Sequence, residues 1–311
     1  MYPALSLTSL HNLHIGRVLA REGVGEEANV SRTKALVAIM VVAVMSARLI
    51  ACDLKIETVN AWREYVRKAD ERMQTRLEGK VPFLWLDESA GRRQRAGQGE
   101  AVIAPVVSDG TVRVPGGLIH HWIGGMFIPH TTIQAVSAVT HDYSRYKEFY
   151  SPTVVDSRLI SCTTTEQKFS MIWQTKVLLL YAAMKGEYQV REVRIDPHRG
   201  FSISDTLEIR EIENYGKPEE KLLPAGTGNG FIWGLHGISR YEERDGGVYL
   251  EREALALTRD IPFSLRWVAG SIISRLSMTS LATTLRQTRD AVAAMPAVTD
   301  VATSCANRPS H

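Results

Sequence analysis

A helical pattern of apolar positions opens the regular part of the chain. Apolar residues recur at steps of three and four, at Ile56, Val59, Trp62, Val66, Ala69, Met73 and Leu77. This period predicts an amphipathic α-helix over residues 56–78, ended by Gly79. The polar stretch from Asp87 to Glu100 has no such period and predicts a flexible linker. Residues 53–115 are therefore expected to form an N-terminal helix and linker.

After residue 116 the pattern changes to that of β-strands. Apolar segments are separated by turn residues, among them Lys185-Gly186 and Asp245-Gly246-Gly247. The expected strands cover residues 118–128, 157–162, 168–184, 187–196, 201–213, 230–242 and 248–258. A long helix is expected to follow Pro262 and to end at Pro296. Residues 296–311 are expected to be a disordered tail.

This order of elements predicts the fold class. Strands and helices are segregated along the chain, which is typical of an α+β domain. Residues 116–295 are expected to form one domain, a curved antiparallel sheet wrapped around the long C-terminal helix. This helix-grip arrangement leaves a cavity between the sheet and the helix.

Residues 1–52 have the pattern of an export leader. The eleven apolar residues from Ala35 to Met45 follow Arg32 and Lys34, which is the order found in a signal peptide. A retained membrane anchor and a lipoprotein, with Leu49 to Cys52 as the lipidation motif, remain open alternatives. Residues 1–31 show no apolar period and are interpreted as a possible start-site artefact. We expect export to the periplasm or cell envelope, with membrane contact only through the leader or a lipidated Cys52.

Charge narrows the choice of partners. The 311 residues include 37 Lys and Arg against 34 Asp and Glu, a formal charge of +3. Without the leader, 32 basic and 31 acidic residues remain. No basic run is long enough to follow a phosphate backbone, so nucleic acid is not an expected partner. A monomer is expected.

Sequence motifs of common catalytic and metal sites are missing. His120 and His121 are adjacent, so in a strand they point to opposite faces, and the sequence has no HExxH or Cys/His spacing. It has no GxSxG motif for a serine nucleophile. The glycine-rich segment Gly226–Gly230 opens a strand, whereas a phosphate cradle needs a helix N-terminus. We expect no metal, no cofactor and no catalytic residue.

Several segments resemble a known superfamily. The segment HDYSRYKEFYSPTVVDSRLI and the ending LTRDIPFSLRWVAGSIISRLSMTSLATTLRQTRDAV resemble START-like and polyketide cyclase-like (SRPBCC) domains. More narrowly, GLIHHWIGGMFIP and FIWGLHGISRYEERDGGVYLE look like an uncharacterised group of exported bacterial proteins with such a domain. The resemblance covers about residues 56–294. It implies a helix-grip fold with a deep hydrophobic pocket, and it implies no particular reaction.

The strands supply candidate pocket residues, because aromatic rings with a few polar groups suit an apolar ligand. Asp205 stands out on the apolar stripe of Phe201, Ile203, Leu207 and Ile209. A buried carboxylate needs a partner, which is either a ligand or an arginine such as Arg240 or Arg252. The residues expected to line the pocket are Trp173, Tyr188, Phe201, Asp205, Trp233, Tyr241, Glu253 and, at the entrance, Tyr146.

Two functions fit these sequence features. The first is an exported START-like protein that binds a hydrophobic small molecule or lipid between the sheet and the C-terminal helix, without catalysis. The alternative is a cyclase/aromatase-type enzyme acting on a polyketide-like substrate, with Asp205 or Glu253 as the general base. The enzyme requires that carboxylate to be deep in the cavity, unpaired by arginine and raised in pKa.

Overall fold

The computed structural model describes residues 53–163, 165–177, 180–260 and 266–295. Its α-helices are α1 (Ile56–Leu77), α2 (Ala90–Gly97), α3 (Ile133–Thr140), α4 (Tyr146–Phe149) and α5 (Arg266–Ala294). Short 3-10 turns cover Trp85–Glu88 and Tyr143–Arg145. The strands are β1 (Val102–Pro105), β2 (Thr111–Val114), β3 (Gly117–Pro129), β4 (Val154–Cys162), β5 (Glu166–Val177), β6 (Leu180–Asp196), β7 (Arg199–Glu213), β8 (Lys221–Leu222), β9 (Gly234–Arg244) and β10 (Gly247–Arg259).

The strands of the described residues form a single antiparallel sheet. Its order is β1-β3-β10-β9-β7-β6-β5-β4, with β2 also paired to β3 and β8 to β7. The first and last strands of that order are not paired with each other, so the sheet is open, and the long helix α5 contacts β3 and β10. The prediction of an α+β helix-grip fold is therefore confirmed.

The sheet has an inner face that carries α5 and an outer face that carries α1. On the inner face, Met126 and Leu250 cluster with Leu285 of α5, and α3 joins the same cluster. On the outer face, Ala69 and Met73 of α1 pack against Phe201, Ile238 and Leu255. The apolar stripe that predicted α1 is thus explained by burial against the outer face.

The segment predicted to be a flexible linker is folded, so that prediction is wrong. Residues 90–97 form α2, where Ala96 is buried beside Leu86, Val102 and Tyr249. The guanidinium of Arg92 lies 4.2 Å from the centre of the Trp85 ring. A cation over an aromatic face, an ion pair from Arg92 to Glu88 and one small buried residue thus hold this polar helix against the domain.

The long strand predicted over residues 168–184 is two strands. β5 and β6 pair as a hairpin in which Val177 is opposite Leu180. The turn expected at Lys185-Gly186 lies inside β6, where a side chain on Gly186 would overlap the ring of Tyr188. The glycine is therefore required by close packing within the strand and does not mark a turn.

An irregularity in β7 separates residues that were predicted to share one face. The pairing with β6 shifts between the Tyr188–Thr206 and Glu187–Glu208 pairs, which leaves Leu207 as an extra residue. A bulge of this kind exchanges the faces of the residues that follow it. Phe201 therefore packs on the outer face, whereas Ile209 clusters with Met184 and Trp173 on the inner one.

Strands β1 and β2 belong to the same sheet as the rest of the domain. Val102 pairs with Gly125, and Thr111 pairs with His120, so the boundary expected at residue 115 falls inside the sheet. The expected leader 1–52 and tail 296–311 lie outside the described residues. Among the helices that are described, none combines the length and apolar character needed to cross a bilayer.

Candidate functional site

The inner face of the central strands is open to solvent. In β10, the outward residues Glu251, Glu253 and Leu255 are buried beneath the N-terminal elements, whereas the inward residue Ala254 is exposed. Strand β10 lies between β3 and β9, so the exposed Ala254 marks solvent-accessible space above the middle of the sheet. The accessible inward residues are Arg252, Ala254 and Ala256 of β10, Leu235, Gly237 and Ser239 of β9, Ser204 and Thr206 of β7, and Met171 and Trp173 of β5.

Small residues form the floor of this space. Among the residues that the structure describes, a Cβ atom on Gly237 would meet the carbonyl oxygen of Glu253 alone, at 3.7 Å. A Cβ atom on Gly124 would lie 3.2 Å from Leu285 and 3.3 Å from Leu281 of α5. Helix α5 therefore packs closely over Gly124 through Leu281 and Leu285, whereas Gly237 is partly exposed.

A row of polar residues crosses one end of the floor. Arg252 of β10 is directly opposite Ser239 of β9, Ser239 is opposite Ser202 of β7, and Ser202 is opposite Glu192 of β6. Residues that are opposite in register share one face, so all four side chains belong to the inner face. We call these four residues the polar row.

Arg252 provides a cation at one end of the polar row. Its Nη2 atom lies 3.4 Å from the Tyr150 hydroxyl and 3.5 Å from Thr288 Oγ1 of α5. Its Nε atom is shielded from solvent and has no hydrogen-bond partner. Within the described part of the chain, no carboxylate lies within 4.0 Å of this guanidinium. Arginine stays charged in proteins, so an anionic group is its natural partner.

Glu192 provides an anion at the other end of the polar row. Its carboxylate lies 3.6 Å from His141 Nε2 and 3.4 Å from the Ser137 hydroxyl of α3. Burial lowers the pKa of His141 despite the opposing effect of Glu192, which leaves the imidazole neutral at neutral pH. Among the residues that are described, no Lys or Arg lies within 4.0 Å of Glu192.

Tyr241 lies two residues beyond Ser239 along β9, on the same face as the polar row. Its side chain is 2% exposed, and its hydroxyl has no hydrogen-bond partner within 3.5 Å, although the Ser202 side chain is close enough to lower its pKa somewhat. Burial, and secondarily the charge of Glu192, raise the pKa of this hydroxyl. It therefore keeps its proton and remains a hydrogen-bond donor at this end of the inner face.

Aromatic residues form the wall beyond the floor. The indole of Trp173 donates to the Tyr188 hydroxyl at 3.0 Å. The ring of Phe169 stacks on Tyr143 at 4.1 Å and on Tyr188 at 5.0 Å between ring centres. Trp173 itself is half-buried, so part of an apolar surface remains open to a ligand at this end of the space.

The predicted pocket residues divide between the two faces. Trp173, Tyr188, Tyr146 and Tyr241 are on the inner face, although only Trp173 is accessible among the three strand residues. The hydroxyl of Tyr146 donates to Thr140 O at 2.5 Å. The other four predicted residues, Phe201, Asp205, Trp233 and Glu253, lie toward the outer face, against or beside α1. Their assignment to the pocket is corrected accordingly.

Glu253 belongs to a buried charge network on the outer face. Its carboxylate accepts from His121 Nε2 at 2.8 Å and from Arg240 at 3.1 Å, and His121 Nδ1 is 2.9 Å from the Tyr65 hydroxyl of α1. Burial alone would raise the pKa of Glu253, but the His121 hydrogen bond and the Arg240 charge lower it to about 2. Arg240 also donates to Glu251 at 3.1 Å, and both side chains are fully buried.

Asp205 belongs to a second charged cluster on the outer face. It lies 2.8 Å from His236 Nδ1 and 3.3 Å from Arg191, and Asp70 of α1 lies 3.3 Å from His236 Nε2. Its arginine partner is thus Arg191, and neither Arg240 nor Arg252. Burial would raise the pKa of Asp205, but His236 and Arg191 lower it. Asp205 and Glu253 therefore lack the position and the raised pKa that the predicted general base requires.

Most of the inner site was not predicted from the sequence. Arg252 was expected only as a partner for Asp205, and Glu192, Ser239 and Ala254 were not among the expected residues. A signal for them is present, because Ala254 and Ala256 alternate with the large residues Glu253, Leu255 and Leu257. Small residues at every second position of a strand indicate a face with room above it.

Comparisons with known proteins give structural likenesses only. No family model matches the chain, and no curated protein matches it. A STAR-related lipid transfer protein fragment from Xanthomonas axonopodis shares 15% identity over 62% of this chain and 98% of that chain, with a TM-score of 0.42. The Zhui aromatase/cyclase of a Streptomyces species shares 11% identity over 56% and 94%, with a TM-score of 0.39. Human STARD10 shares 9% identity over 61% and 75%, with a TM-score of 0.38.

These solved structures come from the lipid-transfer and cyclase classes that the sequence segments resemble. Likeness at this level of identity and TM-score does not bear on ligand or reaction. The chemistry of the site therefore rests on the geometry of the inner face.

Proposed function

We propose that this protein binds an amphipathic small molecule or lipid in the space between the inner face and α5, without catalysis. The observation that carries this proposal is the accessible floor of small residues in the middle of the sheet. Ala254 is exposed on a strand that has neighbours on both sides. A sheet that served only as a core would cover that position with a side chain of α5.

The two ends of the floor differ in chemistry. The polar row at one end includes the cation of Arg252, and the half-buried ring of Trp173 lies toward the other end. From Arg252 to Ala256 the strand advances four residues, or about 13 Å. A ligand with an anionic head at Arg252 and an apolar body along the floor fits both ends.

Arg252 favours an anionic head for energetic reasons. A charged guanidinium that has lost part of its hydration is stabilised by a charge-assisted hydrogen bond, which is worth roughly twice a neutral one. Its present partners are two neutral hydroxyls at 3.4 and 3.5 Å. A carboxylate or phosphate oxygen replaces these long contacts with short ones.

The location and assembly of the protein form part of the proposal. The apolar run at Ala35–Met45 after Arg32 and Lys34 supports export to the cell envelope. We propose a monomer that contacts the membrane through its leader or a lipidated Cys52 and has no nucleic-acid partner. Detection of the protein in envelope fractions, with the N-terminus of the natural product sequenced, tests this part.

The binding proposal is tested on delipidated full-length protein. Melting temperature and native mass spectrometry are measured with a fatty acid, a phospholipid, a sterol and a quinone. At least one of them is expected to raise the melting temperature and to remain bound in the mass spectrum. The Arg252→Met variant is expected to lose most of that shift, whereas Arg93→Met, at an exposed position of α2, keeps it. No shift and no bound mass with any of the four would refute lipid binding.

A further inference from the structure

We propose that the ligand has a zwitterionic headgroup, with its anionic group at Arg252 and a primary ammonium at Glu192. This inference rests on the proposed ligand site and specifies the chemistry of its polar end. The observation behind it is that the polar row has opposite charges at its two ends, with the hydroxyls of Ser239 and Ser202 between them.

The two charges do not form an ion pair with each other in the described residues, where neither side chain lies within 4.0 Å of the other's charged atoms. Arg252 and Glu192 are separated by three strand steps, which places their backbones about 14 Å apart at about 4.8 Å per step. Arg252 contacts Tyr150 and Thr288, and Glu192 contacts Ser137 and His141. Each charge is therefore held by a different helix and points into the same inner face.

Neither charge is neutralised by the protein. The contacts of Arg252 are hydroxyls, and the only titratable partner of Glu192 in the described residues is His141. An anionic ligand without an amine would satisfy Arg252 and bring a second negative charge toward Glu192. A ligand with both charges satisfies both ends, because each ion then gains a charge-assisted hydrogen bond.

The donors and acceptors around Glu192 favour a primary ammonium over a quaternary one. A primary ammonium has three N–H donors, and the oxygens of Glu192, Ser137 and Ser202 are acceptors on this side of the row. A trimethylammonium group has no N–H donor and is bound by the faces of aromatic rings. Two rings near Glu192 are not accessible to a ligand, because Tyr143, which contacts His141 and stacks on Phe169, is 1% exposed and Tyr241 is 2% exposed. Phosphoethanolamine, in which two carbons join the phosphate and the ammonium, has the required groups.

The test compares three phospholipids with the same acyl chains. Detergent-solubilised full-length protein is incubated with equimolar dioleoyl phosphatidylethanolamine, phosphatidylglycerol and phosphatidylcholine, and the bound lipids are quantified by mass spectrometry. We expect phosphatidylethanolamine to exceed each of the other two at least tenfold. The ratio of lipids bound within one sample does not depend on the fraction of protein that is folded.

Two variants locate the source of that selectivity. Glu192→Gln is expected to lower the ratio of phosphatidylethanolamine to phosphatidylglycerol about tenfold, which corresponds to about 1.4 kcal/mol. Glu208→Gln, at an exposed position of β7, is the matched control and should leave the ratio unchanged.

The outcomes separate this inference from the binding proposal. Equal binding of phosphatidylethanolamine and phosphatidylglycerol, or a ratio unaffected by Glu192→Gln, overturns the zwitterion inference while lipid binding stands. Phosphatidylcholine binding as well as phosphatidylethanolamine overturns the assignment of a primary ammonium. Binding of none of the three lipids, together with the absence of a response to a fatty acid, a sterol and a quinone, overturns the binding proposal itself.

Discussion

Arg252 and Glu253 are neighbours in the chain and belong to opposite faces of the sheet. The carboxylate of Glu253 is held by His121 and Arg240 beneath α1, whereas the guanidinium of Arg252 lies beside Tyr150 and Thr288 under α5. The alternation of a strand makes this division unavoidable. One strand therefore supplies an internal ion-pair network to the outer face and an unneutralised cation to the inner face.

The outer network predicts a large loss of stability when its cation is removed. Arg240→Met keeps much of the side-chain volume but leaves Glu251 and Glu253 without their shared arginine. Removal of one partner of a buried ion pair costs about 3–5 kcal/mol, and urea unfolding is the measurement. Arg67→Met, which breaks exposed pairs to Glu64 and Glu71 on α1, is expected to change the free energy of unfolding far less, because solvent screens exposed ion pairs. If both variants lowered the free energy of unfolding by a similar amount, the buried network would not have the stabilising role proposed for it.

His236 predicts a pH dependence of stability on the alkaline side. Burial would lower its pKa, but Asp205 and Asp70 raise it to about 9, against an ordinary value of 6.5. The pKa of His236 is higher in the folded than in the unfolded protein, so its ion pairs with Asp205 and Asp70 contribute fully to stability below about pH 6.5. This contribution is lost as the pH rises through about 9.

The alkaline loss is measured by urea unfolding between pH 6 and pH 10. Solvent screening at the half-exposed carboxylates reduces the effect to about 1–3 kcal/mol. Asp205→Asn removes the nearer carboxylate and should flatten the dependence over this range. A wild-type curve that does not fall above pH 8, or one that the variant reproduces, contradicts the assignment.

Two glycines on the inner face, Gly124 and Gly237, are expected to differ in how much substitution by alanine destabilises the protein. A Cβ atom on Gly124 would overlap Ile103 and crowd α5, whereas one on Gly237 makes only an ordinary van der Waals contact among the described residues, 3.7 Å from the Glu253 carbonyl oxygen. Gly124→Ala is expected to lower the free energy of unfolding by about 1–3 kcal/mol, and Gly237→Ala to leave it within about 0.5 kcal/mol. Thermal and urea unfolding measure both. A strong loss in Gly237→Ala would show that the space above β9 is filled.

A larger side chain on the floor of the inner face is expected to weaken ligand binding without unfolding the protein. Ala254→Leu places a larger side chain in the accessible space above β10, and it is expected to weaken binding of the ligand found for the wild type at least about tenfold. Ala293→Leu, at an exposed position near the end of α5, is the matched control. Isothermal titration measures affinity, and the melting temperature confirms folding. Unchanged affinity in Ala254→Leu would place the ligand elsewhere.

Sequence periodicity predicts most of the elements of this fold, and tertiary contacts explain where it fails. The stripe from Ile56 to Met73 predicts α1, and the inward positions Leu281, Leu285 and Val292 of α5 are buried as expected. Residues 90–97 have too few apolar positions to predict a helix, because α2 is held by Arg92 on Trp85 and by a single buried alanine. The turn of the β5–β6 hairpin has no glycine, asparagine or proline. The sequence pattern therefore predicted one long strand in place of two.

The candidate site was less predictable than the fold. Aromatic residues on the strands predict an apolar pocket, and the structure places one of them, Trp173, half-buried on the inner face. Phe201, Asp205 and Glu253 also lie on alternating positions of their strands, but their side chains are on the outer face, against or beside α1. The sequence pattern did not show that α1 covers this second face. A local sequence pattern does not indicate which helix packs on which face of the sheet.

The sequence by itself determined the alternation of side chains, the helical stripes and the near balance of charge, because these depend on neighbours a few residues apart. Only the tertiary structure decided that Arg252 and Glu192 lie at the two ends of the polar row. Strands β9 and β7 lie between their strands in the sheet, and the two residues are sixty positions apart in the sequence. It also decided that Asp205 and Glu253 are neutralised by partners, including side chains of α1. Pairing between distant strands and docking of a helix are long-range events, and they fix which charges remain available to a ligand.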